Sequence, residues 1–147
     1  AITLVISCNN SGEKKENGSD KNMLGQQADS LYKDVLKGHD EGMAGWMHIE
    51  KKQKEINRLL DSIAKLPGKA KTDADELKSK LMEAGTALQS AYDEMDKWMS
   101  EIKLDSAKDN PEQRIKYFTE EKLKVNRVKD AVNNSLQKAD SLLKVKL

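Results

Sequence analysis

The sequence predicts an all-α fold: an elongated, antiparallel, coiled-coil-like three-helix bundle behind a disordered N-terminal tether. Three observations predict it. Apolar residues recur at alternating steps of three and four along three long stretches, which is the spacing of one helical face. Charged residues make up 35% of the chain and aromatic residues 4%, a composition typical of long, solvated helices. No stretch shows the alternation of apolar and polar residues that predicts a strand.

The N-terminus resembles the end of a bacterial lipoprotein signal peptide. Residues 1–7 are apolar but far too short to span a bilayer, which takes about 20 residues. Val5 fits the branched aliphatic position of the lipobox, where leucine is commoner, and Ser7 fits the small residue before the cysteine. This resemblance implies that Cys8, the single cysteine, becomes the lipidated N-terminus, carrying acyl chains such as palmitate. The alternative is a buried free thiol.

Residues 8–22 are predicted to form a flexible tether between the lipid and the domain. From residue 9 to residue 22 the chain contains no apolar side chain, so this stretch has nothing to bury. Acyl chains each contribute about 0.8 kcal/mol per buried methylene, which makes a stable membrane anchor when there are several of them. The bundle is predicted to occupy residues 23–147.

The first helix is predicted over residues 24–66. Pro67 and Gly68 should end it, because proline does not continue a helix and glycine suits the following turn. Residues 69–72 are predicted to be a loop. The apolar face, which we call seam one, consists of Ala28, Tyr32, Val35, His39, Gly42, Trp46, Ile49, Gln53, Ile56, Leu60 and Ile63, and is widened by Leu31, Leu36, Met43, Met47, Leu59 and Leu66.

Two further helices are predicted over residues 73–104 and 111–146. Thr72 or Asp73 can cap the first of them, and Asn110 followed by Pro111 is a typical start for the second. Antiparallel packing of the three helices is the simplest way to bury their faces, although the faces could also meet in a dimer. Seam two is Ala74, Leu77, Leu81, Ala84, Leu88, Ala91, Met95, Trp98 and Ile102; seam three is Ile115, Phe118, Val125, Val128, Val132, Leu136, Ala139, Leu142 and Leu143.

One zone of the predicted bundle has unusual side chains. Antiparallel pairing of the first two helices places Met43 opposite about residue 97 and Met47 opposite about residue 93. The second loop brings Phe118 beside Trp98. The zone is therefore expected to gather histidine, methionine and large aromatic residues, next to three glycines of the first helix. Its members are His39, Met43, Met47, Met95 and Met99, together with the aromatic residues Trp46, Trp98 and Phe118.

Three interpretations of this zone remain open. Thioethers with an imidazole suit Cu(I), and a His/Met pair suits haem, so His39, Met43, Met47, Met95 and Met99 are candidate ligands. Methionine also fills gaps in cores, and glycines make room for tryptophans, so packing is the favoured interpretation, with His39 hydrogen-bonded to Glu94 or Glu101. A groove for another ligand is the third interpretation. His48 falls on a different face and is expected to be exposed.

Composition and motifs argue against two classes of function. Acidic and basic residues are interleaved and the net charge is +1, whereas nucleic-acid binding needs a basic face. The sequence shows no catalytic constellation: no phosphate loop, no Cys-x-x-Cys and no His-Glu-x-x-His. A Glu-x-x-His pair for a di-iron site is also missing, because Leu36 and Gly45 precede the two histidines by three positions. We therefore expect a protein that is not an enzyme and needs no cofactor, copper or haem being the alternative.

Three segments resemble a known family. They are His39-Asp40-Glu41-Gly42-Met43, Met95-Asp96-Lys97-Trp98-Met99, and the segment 116–121, Lys-Tyr-Phe-Thr-Glu-Glu. Together they resemble small helical lipoproteins of the Bacteroidota that are often labelled "viral A-type inclusion protein". The likeness extends from about residue 28 onward. This chain departs from the family pattern at Ala44, where proline is usual, and at Trp46, where methionine is common.

The resemblance implies a lipid-anchored helical protein of the cell envelope without an established activity. We expect an outer-membrane lipoprotein that acts as an accessory or interaction module with an envelope protein partner. Relatives exported to the cell surface carry acidic residues directly after the lipidated cysteine. Here that stretch has only the scattered Glu13 and Glu16, which favours the periplasmic face over the cell surface.

Overall fold

A computed structural model describes residues 17–145 and confirms the all-α fold. In that range the chain forms five helices and no strand: α1 (Asn17–Trp46), α2 (Ile49–Ala64), α3 (Gly68–Asp73), α4 (Asp75–Glu101) and α5 (Pro111–Leu143). The signal-peptide segment and Cys8 lie outside the described residues. The three long rods of the predicted bundle are α1 with α2, then α4, then α5.

The predicted seams form the core. Every residue of the three seams is buried or half-buried, and none is exposed. Steps of three and four keep side chains on one side of a helix, so each rod turns a single stripe inward. The largest fully buried side chains are Phe118, Ile49, Ile56, Ile63, Leu81, Leu88, Met95, Val35, Val125 and Val132.

The α1–α2 rod runs antiparallel to α4 and parallel to α5. Contacts with α4 pair His39 with Met99 and Gln53 with Gln89. Residue numbers therefore rise along the first rod while those of the contacting residues on α4 fall. Contacts with α5 keep a constant offset: Asp34–Lys122 and Glu41–Lys129 are both 88 positions apart. This is the predicted up-down-up arrangement.

The first rod is not the continuous helix predicted over residues 24–66. It is interrupted at residues 47–48, where His48 N–H donates to the Gly45 carbonyl (2.8 Å) instead of the carbonyl one residue earlier. Such a three-residue bond tightens one turn of the helix. The two halves of the rod have different packing partners: α1 packs chiefly on α5, whereas α2 packs on both α4 and α5.

Glycines bring α1 and α5 close together. A Cβ atom added to Gly38 would lie 2.9 Å from a Val125 methyl, and one added to Gly45 would lie 2.9 Å from a Val132 methyl. At Gly42 the added atom would collide with the Cε of Met95 and approach the Cα of Lys129 at 3.5 Å. The helix-propensity cost of about 1 kcal/mol per glycine is therefore offset by close helix packing.

Several predicted boundaries were wrong. α1 begins at Asn17, so residues 17–22 of the predicted tether are helical, with exposed side chains from residue 18. Residues 69–72 are part of the short α3 and not a loop, and α4 starts after Ala74 without a side-chain cap. α4 and α5 end at Glu101 and Leu143, three residues earlier than predicted. Helix ends depend on a few local bonds, which apolar spacing does not encode.

The predicted start of α5 is confirmed. The Asn110 side chain accepts a hydrogen bond from the backbone N–H of Gln113 (3.1 Å), and Pro111 occupies the first turn. The preceding connection is held by Arg114, whose guanidinium donates to the carbonyls of Leu104 and Ser106 and lies 4.6 Å from the centre of the Phe118 ring. This end of the bundle is thereby fixed to the core.

Candidate functional site

The structure brings His39 and Met99 together. The Nε2 atom of His39, on α1, lies 3.4 Å from the Sδ atom of Met99, on α4. They meet because the antiparallel rods place position 39 opposite the last turn of α4. Both residues are half-buried, and the His39 side chain keeps 28% of its surface exposed. The contact is therefore reachable from solvent.

The rest of the His39 environment orients the ring. Its Nδ1 atom lies 3.0 Å from the Asp40 carboxylate, and its ring centre lies 5.8 Å from that of Trp98. Trp98 is buried and donates its indole N–H to Glu121 (2.9 Å). Since that N–H is already used, Trp98 offers His39 only its π surface. The predicted partners Glu94 and Glu101 form no hydrogen bond with His39.

The other predicted ligands divide into three cases. Met95 is fully buried and its methyl group packs against Gly42, which makes it a core residue. Met43 is half-buried and lies one helical turn from His39 on α1, packed against the core. Met47 is 67% exposed, because it falls at the interruption between α1 and α2. The inclusion of Met47 in the site was wrong. His48, as predicted, is exposed.

The aromatic residues do not form one stack. Trp46 lies flat against Tyr92, with ring centres 4.5 Å apart, and donates its N–H to the Tyr92 carbonyl (3.2 Å). Phe118 packs edge-on against Tyr32 (5.3 Å) and Tyr117 (5.2 Å). Of the three predicted aromatic residues, Trp98 alone has its ring beside His39.

The sequence analysis missed Glu121, one of two polar residues buried in the described part of the chain, the other being Ser135. Glu121 joins α4 to α5 through Trp98 and accepts a hydrogen bond from Lys124 (2.7 Å). That hydrogen bond raises the pKa of Lys124 above its ordinary value of 10.5. A signal was present: Glu121 lies three residues after Phe118 and four before Val125, which is a seam position.

The metal donors that meet at this site are few and soft: the imidazole nitrogen of His39 and the thioether sulfur of Met99. Among residues 17–145, no group of three or more His, Cys, Asp or Glu side chains could hold a metal ion, which argues against a zinc-type site. Haem does not fit either. Axial ligands occupy opposite faces of the porphyrin, whereas His39 and Met99 touch directly and leave no place for the ring.

A second surface feature lies between α2 and α4. It is an open groove of about 710 Å³, which we call the α2–α4 groove. Apolar side chains of Ile56, Leu60 and Leu81 form its floor, and the exposed Met82 lies at its edge. Gly85 lines the groove and faces open space: an added Cβ atom would have Ile56 as its nearest neighbour, at 4.0 Å. Its remaining lining residues are Glu50, Gln53, Lys54, Asn57, Thr86 and Gln89.

Comparisons of the chain with protein-family models, with curated proteins and with solved structures find no match. The family resemblance of the three segments therefore stays a prediction. None of the helices in residues 17–145 combines the length and the apolar character needed to cross a bilayer.

Proposed function

We propose that this protein is a non-enzymatic, lipid-anchored helical-bundle module of the cell envelope that binds a partner protein. The observation that carries the proposal is the α2–α4 groove. It combines an apolar floor with polar walls, and its volume of about 710 Å³ exceeds that of the depression between α4 and α5, about 330 Å³. Such a groove suits an amphipathic helix, which lays its apolar side on the floor and its polar side toward solvent.

The charges of the groove favour a protein partner. Its charged lining residues are one acid and one base, Glu50 and Lys54, both on α2. The polar residues that α4 contributes, Thr86 and Gln89, are neutral. A nucleic acid would need a basic surface. Attachment to the membrane is the role proposed for Cys8, with the outer membrane as the location and the periplasm as the side on which the bundle acts.

Site-specific photo-crosslinking in envelope preparations tests the partner. A photoreactive residue at Thr86, an exposed wall position of the groove, is expected to give one discrete crosslinked product. The matched control replaces Leu123 of α5, which is 64% exposed and lies outside the groove. Absence of any product from Thr86, or equal products from both positions, contradicts a partner in the groove.

The anchor has its own test. Cys8→Ala is expected to abolish incorporation of labelled palmitate and to move the protein from the membrane fraction to the soluble fraction. Unchanged membrane association of Cys8→Ala refutes the lipid anchor but leaves the groove experiment interpretable, because crosslinking at Thr86 does not depend on where the chain is anchored.

A further inference from the structure

We infer that His39 and Met99, with Met43 as a third donor, form a binding site for a soft monovalent metal ion, Cu(I) or Ag(I). This site lies outside the α2–α4 groove and does not depend on the proposed anchor or partner. We call it the His39–Met99 site.

The His39–Met99 contact lacks a proton when the ring is neutral. An ionised carboxylate only accepts hydrogen bonds, so we assign the proton of the neutral ring to Nδ1, which lies 3.0 Å from the Asp40 carboxylate. Nε2 is then an acceptor, and the thioether of Met99 has no proton to donate. Two lone-pair atoms face each other at 3.4 Å, an arrangement that a positive centre between them would stabilise.

The spacing of the two atoms fits one metal ion. Bonds of about 2.0 Å to imidazole nitrogen and about 2.3 Å to sulfur, at a near-tetrahedral angle, place the two ligand atoms about 3.5 Å apart. The observed separation of 3.4 Å needs little adjustment. Asp40, His39 and the ion would form the carboxylate–histidine–metal arrangement that fixes a ligating ring and raises its basicity.

The surroundings favour a soft ion of single charge. Imidazole with thioether donors selects Cu(I), and no further acid, histidine or cysteine cluster within residues 17–145 would serve a harder divalent ion. Trp98 covers one side of His39 with its π surface, which attracts a cation. Met43, half-buried and one turn from His39 on the same helix face, would supply a second thioether and thus the third donor.

Ag(I) is the first probe, because it has the same ligand preference as Cu(I) and does not change oxidation state under assay conditions. The full chain carries Cys8→Ser, since a free thiol would bind either ion by itself. Addition of one equivalent of Ag(I) is expected to shift the methyl signal of Met99 and the Nε2 signal of His39 in NMR spectra. The methyl signals of Met23, Met47 and Met82, which are exposed, are expected to stay unchanged.

Competition for Cu(I) with a chromophoric chelator, without oxygen, then measures affinity. Met99→Leu, which preserves volume, and His39→Gln are expected to weaken binding by about tenfold or more, as changes at metal sites typically do. Met47→Leu is the matched control and should bind as the Cys8→Ser protein does. Circular dichroism checks that each variant is folded. If a variant does not fold, the NMR experiment on the Cys8→Ser protein, in which His39 and Met99 are intact, still tests the site.

Three results overturn the inference. They are no Ag(I)-dependent shift at Met99 and His39, shifts confined to the exposed methionines, and unchanged Cu(I) affinity in Met99→Leu. If no shift occurs, the His39–Met99 contact is instead a hydrogen bond in which Nε2–H donates to the sulfur. The two residues then serve packing alone.

Discussion

The interface between α1 and α5 and the interface between α2 and α4 are built differently. α1 meets α5 through three glycines. Methyl groups of α5 occupy the space where the side chains of Gly38 and Gly45 would be, and the Met95 methyl group of α4 does so at Gly42. Ion pairs between Asp34 and Lys122 (2.6 Å) and between Glu41 and Lys129 (3.0 Å) flank this contact. α2 meets α4 through larger side chains, a Gln53–Gln89 hydrogen bond (2.9 Å) and an open groove.

The difference shows that a glycine has opposite effects depending on what lies across from it. Gly42 faces the backbone of α5 and allows close approach, whereas Gly85 faces open space and leaves a groove. One rod can therefore be tightly closed on one side and available on the other. The interruption at residues 47–48 separates the two kinds of interface, because α1 ends there and α2 begins.

The largest expected effect tests the closed interface. Phe118→Ala removes a fully buried ring that packs on Tyr32 of α1, and it should lower the free energy of unfolding by about 3–5 kcal/mol. Leu60→Ala, at the half-buried floor of the groove, should cost markedly less. Urea unfolding followed by circular dichroism measures both. Equal losses would show that the two interfaces do not differ in packing.

A second prediction concerns the polar link from α4 to α5. Glu121→Ala leaves the indole N–H of the buried Trp98 without its acceptor, which should cost about 1–3 kcal/mol. Glu121→Gln keeps an oxygen in place and should cost less. Tryptophan fluorescence during urea unfolding reports on both variants. If the two substitutions are equally destabilising, the hydrogen bond is not what matters at this position.

A matched glycine pair tests the comparison most directly. Gly38→Ala forces a Cβ atom to within 2.9 Å of a Val125 methyl group, which a short branched side chain cannot easily move away. Overpacking of about 1–3 kcal/mol, less the gain in helix propensity of about 1 kcal/mol, leaves a net loss of about 1 kcal/mol. Gly85→Ala meets no such neighbour and should stabilise the protein by up to about 1 kcal/mol. Changes of the same sign in thermal unfolding would remove the distinction drawn between the two interfaces.

The smallest expected effect is a pH dependence at α2. Hydrogen bonds from Lys52 to Asp140 of α5 and to Glu55 raise the pKa of Lys52 above its ordinary value of 10.5. A raised pKa in the folded state means that the stabilisation is complete below the unfolded pKa and is lost as pH rises through the folded one. Stability should therefore fall above about pH 10.5, and this decline should be smaller in Lys52→Met.

Thermal unfolding between about pH 8 and about pH 12 checks the Lys52 prediction, with the surface variant Lys51→Met as the control. Lys51 is exposed on the same helix. Identical pH profiles for the two variants would show that the pair with Asp140 adds nothing to the α2–α5 contact.

Most of the fold was predictable from local pattern. The three seams were confirmed residue by residue, as was the Asn110 cap, because both depend on side chains within a few positions of one another along a helix. The break at residues 47–48 was not predictable in this way. The apolar spacing continues without interruption through Trp46 and Ile49, so the pattern carries no signal for a break between α1 and α2.

The candidate site was predicted in part. Opposing positions of two antiparallel rods follow from the loop between them, and this arithmetic brought His39 to the last turn of α4. It did not determine which methionine would make the contact. Met95 and Met99 lie one turn apart, and packing against Gly42 buried Met95 while Met99 remained beside the ring. Met47, which was also predicted to belong to the site, lies in the turn between α1 and α2 and is exposed.

The sequence by itself determined that this chain forms three amphipathic rods and where the connections between them fall. Both follow from local properties: the spacing of apolar residues, and the residues that end or begin helices, such as Pro67 and Asn110. Only the tertiary structure decided which pair of rods approaches closely, which pair leaves a groove, and which side chains meet at His39. Those outcomes depend on what stands opposite each glycine and methionine, and that neighbour comes from a distant part of the chain.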